Sequence, residues 1–396
     1  MQSAESSQKA YEEDEREERE EIASLVSKLP VLNDLFQLHF KIGEGTFSSV
    51  FLATLKTSEG VKKFAVKHLV PTCHVGRVER ELKCLQNIGG TDHIVGLELC
   101  LRNAGSIVFI MPYLKHDRFS EYVYDMDVYE TRDYMKALLT ALRRVHKFGI
   151  IHRDVKPSNF LYDRCNRRYL LVDFGLAQQY NVENKSSSDL KVEVSENQTS
   201  KRKRSDENTV REPVEVTKRS TEGKCVCFGK PKICSLCIVR PPQTAPRAGT
   251  PGFRAPEVLL KYLFQTPAID IWASGVMMLS ILSGTQPFFR ASDDCTALAE
   301  ITTLFGSNRI QQCARKLGKK INFSENIPEV DFVTLCQKLR KRIKGKATNV
   351  LDNAGKAPQD LNYPTPAYDL LVRLLEPDYK RRITAEEALN HPFFNS

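Results

Sequence analysis

No apolar leader opens this chain of 396 residues: its first stretch is polar and acidic, with Glu12-Glu13-Asp14-Glu15 in place of an apolar segment, so no secretory signal is expected there. No run is long enough to cross a bilayer either. The longest apolar stretch, from Trp272 to Leu282, is broken by Ser274, Gly275 and Ser280, whereas a spanning helix needs roughly 20 predominantly apolar residues. No internal repeat is visible, and the basic runs have no interleaved aromatics on which nucleic-acid bases could stack. The formal charge is nonetheless +9, and it is uneven: residues 1–28 hold nine Asp and Glu against four Lys and Arg, so the cationic excess lies in the rest of the chain. An acidic protein substrate ranks first for that excess, direct sequence-specific nucleic-acid binding is not expected, and no membrane partner is expected.

What is present begins with His152-Arg153-Asp154-Val155-Lys156-Pro157-Ser158-Asn159, followed a short way on by Asp173-Phe174-Gly175. Phosphoryl transfer to a hydroxyl needs a carboxylate to orient the attacking oxygen, a cation beside the moving phosphate and two oxygen ligands for magnesium. Asp154, Lys156, Asn159 and Asp173 are such a set, and on these two motifs the chain resembles the protein kinases.

The remaining kinase landmarks follow in order. Ile42-Gly43-Glu44-Gly45-Thr46-Phe47-Ser48-Ser49-Val50 resembles the glycine-rich loop, whose backbone N–H groups close over the triphosphate of ATP; the third glycine position is Ser48. Alone, two glycines read better as a plain β-hairpin turn. Phe64-Ala65-Val66-Lys67 decides for the loop, because A-x-K on an alternating strand sets Ala65 at the nucleotide and Lys67 against its α- and β-phosphates. Lys67 needs a helix glutamate as its partner. Val78, Leu82 and Leu85 share one face with Glu81 at its margin, which favours Glu81 over Glu79. Met111 resembles the residue guarding the back of the adenine pocket, and Pro112-Tyr113-Leu114 the hinge that pairs with the adenine edge; a plain buried strand methionine fits the same position.

Further on, Gly249-Thr250-Pro251-Gly252-Phe253-Arg254-Ala255-Pro256-Glu257 looks like the close of an activation segment. Asp270-Ile271-Trp272-Ala273-Ser274-Gly275 looks like the helix beneath the catalytic loop, and Arg382 like the ion-pair partner of Glu257. Lys156 and Thr250 favour serine or threonine over tyrosine acceptors, and Thr250 is read as a structural hydroxyl reaching Asp154. Arg247 and Arg254 flank the segment that meets the residue after the acceptor, where guanidinium forks suit a carboxylate or phosphate.

The resemblance implies an α+β, bilobal fold with an enlarged activation-segment insert. An acidic tail and short helix (residues 1–35, with Ile22, Leu25, Val26 and Leu29 as its apolar stripe) precede a small lobe and hinge (36–114) and a larger lobe (115–396). At 41% hydrophobic content the chain can bury the core of such a fold, which needs roughly 250 to 300 positions. Late in the chain Phe332, Leu335, Cys336, Leu339 and Ile343 recur at helical spacing, with Lys338, Arg340, Lys341 and Arg342 opposite, ahead of a linker at 343–364.

The insert is read at 181–240. Residues 181–222 are rich in Ser, Lys and Glu, a composition of disorder. Within them Lys201-Arg202-Lys203-Arg204 resembles a nuclear import signal, a solvated basic run being the alternative. Four of the eleven cysteines then gather at Cys225, Cys227, Cys234 and Cys237. C-x-C followed by C-x₂-C can wrap four thiolates around zinc; free loop thiols are the other reading.

With the Met111–Leu114 hinge, the string through Glu257 and Ala291-Ser292-Asp293-Asp294, this insert makes the chain similar to the cell-division-cycle-seven kinases from about Leu29 onward, fading in 181–222 and 343–364. The resemblance implies a nuclear serine/threonine kinase using ATP, magnesium and structural zinc. It implies action on the minichromosome maintenance helicase to start DNA replication, together with an activator-of-S-phase-kinase subunit. Competing expectations are a stand-alone acidophilic kinase of the casein type, which the cysteine insert speaks against, and a pseudokinase scaffold, which intact Lys67, Asp154, Asn159 and Asp173 speak against.

Overall fold

Alternation along short strands sets the architecture of the small lobe. The structure, a computed structural model, describes residues 2–45, 48–56, 62–70, 75–103, 105–180, 249–347 and 363–395. Strands β1 (Phe36–Gly45), β2 (Ser48–Leu55), β3 (Lys63–Leu69), β4 (Leu99–Asn103) and β5 (Ser106–Pro112) form one antiparallel sheet in the order β1-β2-β3-β5-β4. Side chains along a strand point to opposite faces in turn. Thus Phe64 and Val66 of β3, Val108 and Ile110 of β5, and Phe51 and Ala53 of β2 enter one buried cluster, whereas Leu69, Phe109 and Met111 join the other.

The first cluster is closed by two helices, α1 (Gln2–Lys28) and α2 (Pro30–Leu35), through Leu25, Leu29 and Leu32. Burying each of these leucines contributes about 2 kcal/mol. Pro30 stands at the first position of α2, where its missing N–H is no loss. The helix marked by Ile22 to Leu29 is longer than the apolar stripe suggests, because its polar first half continues the turn with i,i+4 pairs such as Glu15–Arg19 and Arg16–Glu20. Across the sheet lies α3 (Val75–Ile88), with Val78, Cys84, Leu85 and Ile88 buried.

The large lobe is helical: α4 (Phe119–Tyr122), α5 (Val128–Lys147), α6 (Pro256–Leu259), α7 (Ala268–Ser283), α8 (Asp294–Phe305), α9 (Ser307–Lys316), α10 (Phe332–Ala347), α11 (Thr365–Leu374) and α12 (Ala385–Leu389). Two small antiparallel pairs, β6 (Ile150–Ile151) with β9 (Gln178–Gln179) and β7 (Phe160–Asp163) with β8 (Arg168–Leu171), frame the catalytic loop. Helix α7 contains the apolar stretch from Trp272 to Leu282 and is buried from Ile269 to Ser283; a helix apolar all round is a core helix. It ends at Gly284 in the left-handed region. Among the described residues no helix is long and apolar enough to cross a membrane.

Helix α10 differs from its sequence reading at one residue. Phe332 and Cys336 are buried as the spacing predicts, but Arg340, assigned to the polar face, turns inward. Its guanidinium donates to the carbonyls of Leu282 (2.8 Å) and Ile281 at the end of α7, and to Tyr363 Oη at 3.3 Å. The last carbonyls of a helix lack intrahelical donors, and a cation at that end also meets the negative pole of its dipole.

Candidate active site

Lys67 lies opposite Val50 on β2 and Phe109 on β5, on the face of the sheet turned away from α1. Its Nζ is 2.5 Å from Glu81 Oε1 on α3 and 2.8 Å from Asp173 Oδ1. Glu81 is 3% exposed, held in by its buried neighbours Val78, Cys84 and Leu85, whereas Glu79 faces solvent. Burial alone would lower the lysine pKa, but the two carboxylates outweigh it and raise Lys67 to about 12. Burial likewise works to raise Asp173, and Lys67, with His152 and the Gly175 N–H, overrides it and holds the carboxyl at about 2. A side chain on Gly175 would come within 3.1 Å of Asp173 Oδ1 and Arg77 Nη2, so the glycine makes room for this contact.

The catalytic loop is anchored from below. Asp270 of α7, 1% exposed, accepts the N–H groups of His152 and Arg153, each at 2.8 Å, and lies 2.9 Å from His146 Nε2. His152 is buried with its Nε2 3.1 Å from Val172 O and its ring against Phe174 at 4.9 Å between centroids. Arg153 and Asp173 both sit at positive φ, 70° and 65°. Such conformations persist in non-glycine residues only where the surroundings over-determine them, and here Asp270 holds Arg153 and Lys67 holds Asp173.

Asp154 is held on both oxygens. Oδ1 accepts from Thr250 Oγ1 (2.7 Å) and Thr250 N (3.1 Å); Oδ2 accepts from Asn159 Nδ2 (3.0 Å) and meets Lys156 Nζ at 2.9 Å. Lys156 Nζ also donates to Thr250 Oγ1 at 2.9 Å, so one ammonium and one hydroxyl tie the catalytic loop to the end of the activation segment. Gly249, at φ 91°, approaches so closely that a Cβ would lie 2.9 Å from Arg153 O, which excludes other residues there. Glu257 and Arg382 form a bidentate, buried pair at 2.7 and 3.0 Å, fixing α6 to the base of the lobe.

Arg254 departs from its sequence reading. Its Nη1 donates to Asp294 Oδ1 (2.9 Å), and Nε and Nη2 both donate to Gly249 O (3.0 and 2.7 Å). The fork expected to meet an incoming carboxylate is already engaged inside the chain, because Asp294 at the start of α8 offers a part-buried carboxylate beside it. No sequence signal pairs Arg254 with Asp294, forty positions on. The supporting role of His152 and the contact of α1 with β1 described below were also missed.

Ala65 pairs with Met111 and Phe64 with Pro112. Met111 and Leu114 are buried, and Tyr113 N donates to Lys63 O at 3.2 Å. Within the glycine-rich hairpin Gly43 pairs with Val50, Glu44 with Ser49 and Gly45 with Ser48, and Ile42 lies at a slip in register. Thr46, Phe47, Arg247 and the four cysteines Cys225, Cys227, Cys234 and Cys237 lie outside the described residues. So do Lys201 to Arg204. Among the described residues no cluster of three or more His, Cys, Asp or Glu could hold a metal. A nucleotide-bound magnesium needs fewer protein ligands than that. Asp173 is ionised, and Asn159, whose amide N–H groups go to Asp154 O and Oδ2, keeps its Oδ1 as an oxygen ligand.

A buried lysine–glutamate pair beside an ionised aspartate, together with a second aspartate backed by a lysine, is the set of groups that positions a triphosphate against a hydroxyl. Fold and site together define a protein kinase, an enzyme using ATP with magnesium, and the protein kinase domain model matches residues 36–199 and 232–394. Among curated proteins the chain is similar to the cell division cycle 7-related protein kinase of Mus musculus, 34% identical over 99% of this chain and 96% of the relative. It is likewise similar to that of Homo sapiens, 34% identical over 94% and 92%. The cell cycle serine/threonine-protein kinase hsk1 of Schizosaccharomyces pombe is 32% identical over 91% and 73%. The chain belongs to the cell division cycle 7-related kinases, serine/threonine protein kinases of cell-cycle control.

Proposed function

We propose that the chain phosphorylates serine and threonine in acidic surroundings in nuclear proteins, subunits of the minichromosome maintenance helicase among them, as a trigger of replication initiation. In this reading it works with an activator-of-S-phase-kinase subunit and holds a structural zinc on Cys225, Cys227, Cys234 and Cys237. The arrangement of Asp154, Lys156 and Thr250 supports a hydroxyl acceptor. The formal charge of +9 supports an acidic substrate, and the kinship with cell-division-cycle kinases supports the replication role.

Asp154 orients the acceptor hydroxyl, whose oxygen bonds to the γ-phosphorus of ATP as the bond to the β–γ bridging oxygen breaks. ADP departs, and the hydroxyl proton passes by way of Asp154 to solvent. Lys156 offsets charge on the transferring phosphoryl oxygens, and Lys67, kept in place by Glu81, holds the α- and β-phosphates. Asp173 and Asn159 are the residues that would hold magnesium, which supplies charge neutralisation between the phosphates.

The purified chain, with and without the activator subunit, should be assayed on peptides carrying Ser-Asp, Ser-phosphoserine or Ser-Ala. Activator-dependent rates that favour the two acidic peptides are expected. Equal rates on all three would overturn the acidic reading, and full rates without activator would favour the stand-alone casein-type alternative. Because Arg254 is engaged by Asp294 and Gly249, Arg247→Glu should erode the acidic preference selectively, whereas Arg254→Glu should lower rates on every peptide.

A further inference from the structure

The pairing of β1 with β2 slips twice, between Leu38 and Lys41 and again between Lys41 and Gly43, so β1 carries surplus residues just before its glycines. A bulge of this kind frees backbone groups from the ladder and bends the strand that holds it. Lys41 sits between the two slips. Its N–H donates to Glu18 Oε1 at 2.8 Å, and its Nζ lies 2.7 Å from Glu21 Oε2, with Glu44 Oε2 at 3.7 Å. Glu18 and Glu21 are one turn apart on α1, so a single face of that helix grips the strand at both backbone and side chain.

The same carboxylate reaches beyond β1. Burial works to raise the Glu21 pKa, but Lys41 and Ser49, with a smaller contribution from His68, bring it below its usual value. Ser49 and His68 are register partners on β2 and β3, each one residue from Val50 and Lys67, which are themselves partners. Alternation therefore places Ser49 and His68 on the outer face of strands whose inner face carries Lys67. Ile22, Leu25 and Leu29 pack the helix onto that outer face.

We propose that Glu18 and Glu21 are positioning residues for nucleotide binding: by holding Lys41 they select one register of the bulged strand and so set the height of Gly43 and Gly45 over the triphosphate. Two glycines leave this hairpin with more backbone freedom than an ordinary one, so an external hold has more to restrain. The apolar packing of α1 supplies its stability; the two carboxylates supply its alignment with the cleft.

The test uses the full chain with its activator, measuring ATP binding by titration calorimetry and steady-state rates against ATP and peptide. Glu18→Ala with Glu21→Ala, which removes both acceptors, should raise the Kd and KM for ATP about 3- to 10-fold, with peptide KM and kcat at saturating ATP little changed. Glu21→Lys combined with Lys41→Glu should recover most of the affinity lost in either single reversal. Should the double variant melt at a lower temperature, Glu18→Ala alone, which removes the acceptor for Lys41 N and leaves the leucine packing untouched, is expected to show the same selective rise. Unchanged ATP affinity in folded variants, or a fall in kcat with KM for ATP constant, would overturn the proposal.

Discussion

At the scale of single residues the site rests on carboxylates whose charge is held by neighbours. Asp154→Asn keeps the size of the side chain and one oxygen able to accept from Thr250, yet it turns an amide N–H₂ toward Asn159 Nδ2 and Lys156 Nζ and removes the charge assigned to orienting the acceptor and taking its proton. It should lower kcat by about 10²- to 10⁴-fold while ATP affinity, read by calorimetry, stays near the parent's. Comparable activity would remove Asp154 from its assigned role. The pH response belongs to the same scale. Asp173 is lowered from 3.8 to about 2, so its stabilising contribution is complete above about pH 4 and is lost as pH falls through 2. Lys67 is raised from 10.5 to about 12, so its contribution is complete below about pH 10 and is lost as pH rises through 12. ATP affinity measured from pH 5 to 9 should therefore show no step from this pair. A titration of affinity that disappears in Lys67→Met would contradict the assignment.

At the scale of elements, α7 is both the core of the large lobe and the support of the catalytic loop. Asp270→Asn would turn an amide N–H₂ toward donors that now share one carboxylate, His152 N, Arg153 N and His146 Nε2. The loss should be about 2–4 kcal/mol by denaturant unfolding, with kcat reduced because Asp154 directly follows the two anchored residues. Parent-like stability would mean that the loop holds its shape without α7. Helix α10 illustrates how an element's sequence pattern can mislead in part. Its apolar spacing is sound, but a long arginine can satisfy helix-end carbonyls on a neighbour as readily as face water, and only the position of α7 beside α10 makes Arg340 turn inward.

At the scale of the whole molecule, a long insert leaves and returns between the magnesium aspartate and the substrate segment. If four thiolates hold zinc near its returning end, metal binding offsets the entropy of closing so long a loop. Elemental analysis should find about one zinc per chain. Cys234→Ser with Cys237→Ser should remove it and lower activator-dependent activity while ATP affinity persists. Metal-free protein of full activity would leave the four cysteines as ordinary thiols.

The residues that the structure gathers at the candidate site were legible in the sequence because phosphoryl transfer demands particular residue types at short, local spacing: Asp154, Lys156 and Asn159 in one loop, Asp173 two residues before a glycine, and Lys67 on an alternating strand. Helical periodicity was enough to choose Glu81 over Glu79, and the order of these strings carried the bilobal fold. The length of α1 escaped that reading, since its polar half has no apolar stripe to mark it. Tertiary structure alone decided which distant charges meet at Arg254 with Asp294 and at Lys41 with Glu18 and Glu21. Away from such motifs, charged side chains carry no periodicity that names their partner, and which of several cations a carboxylate takes depends on the packing that brings two elements within hydrogen-bond reach.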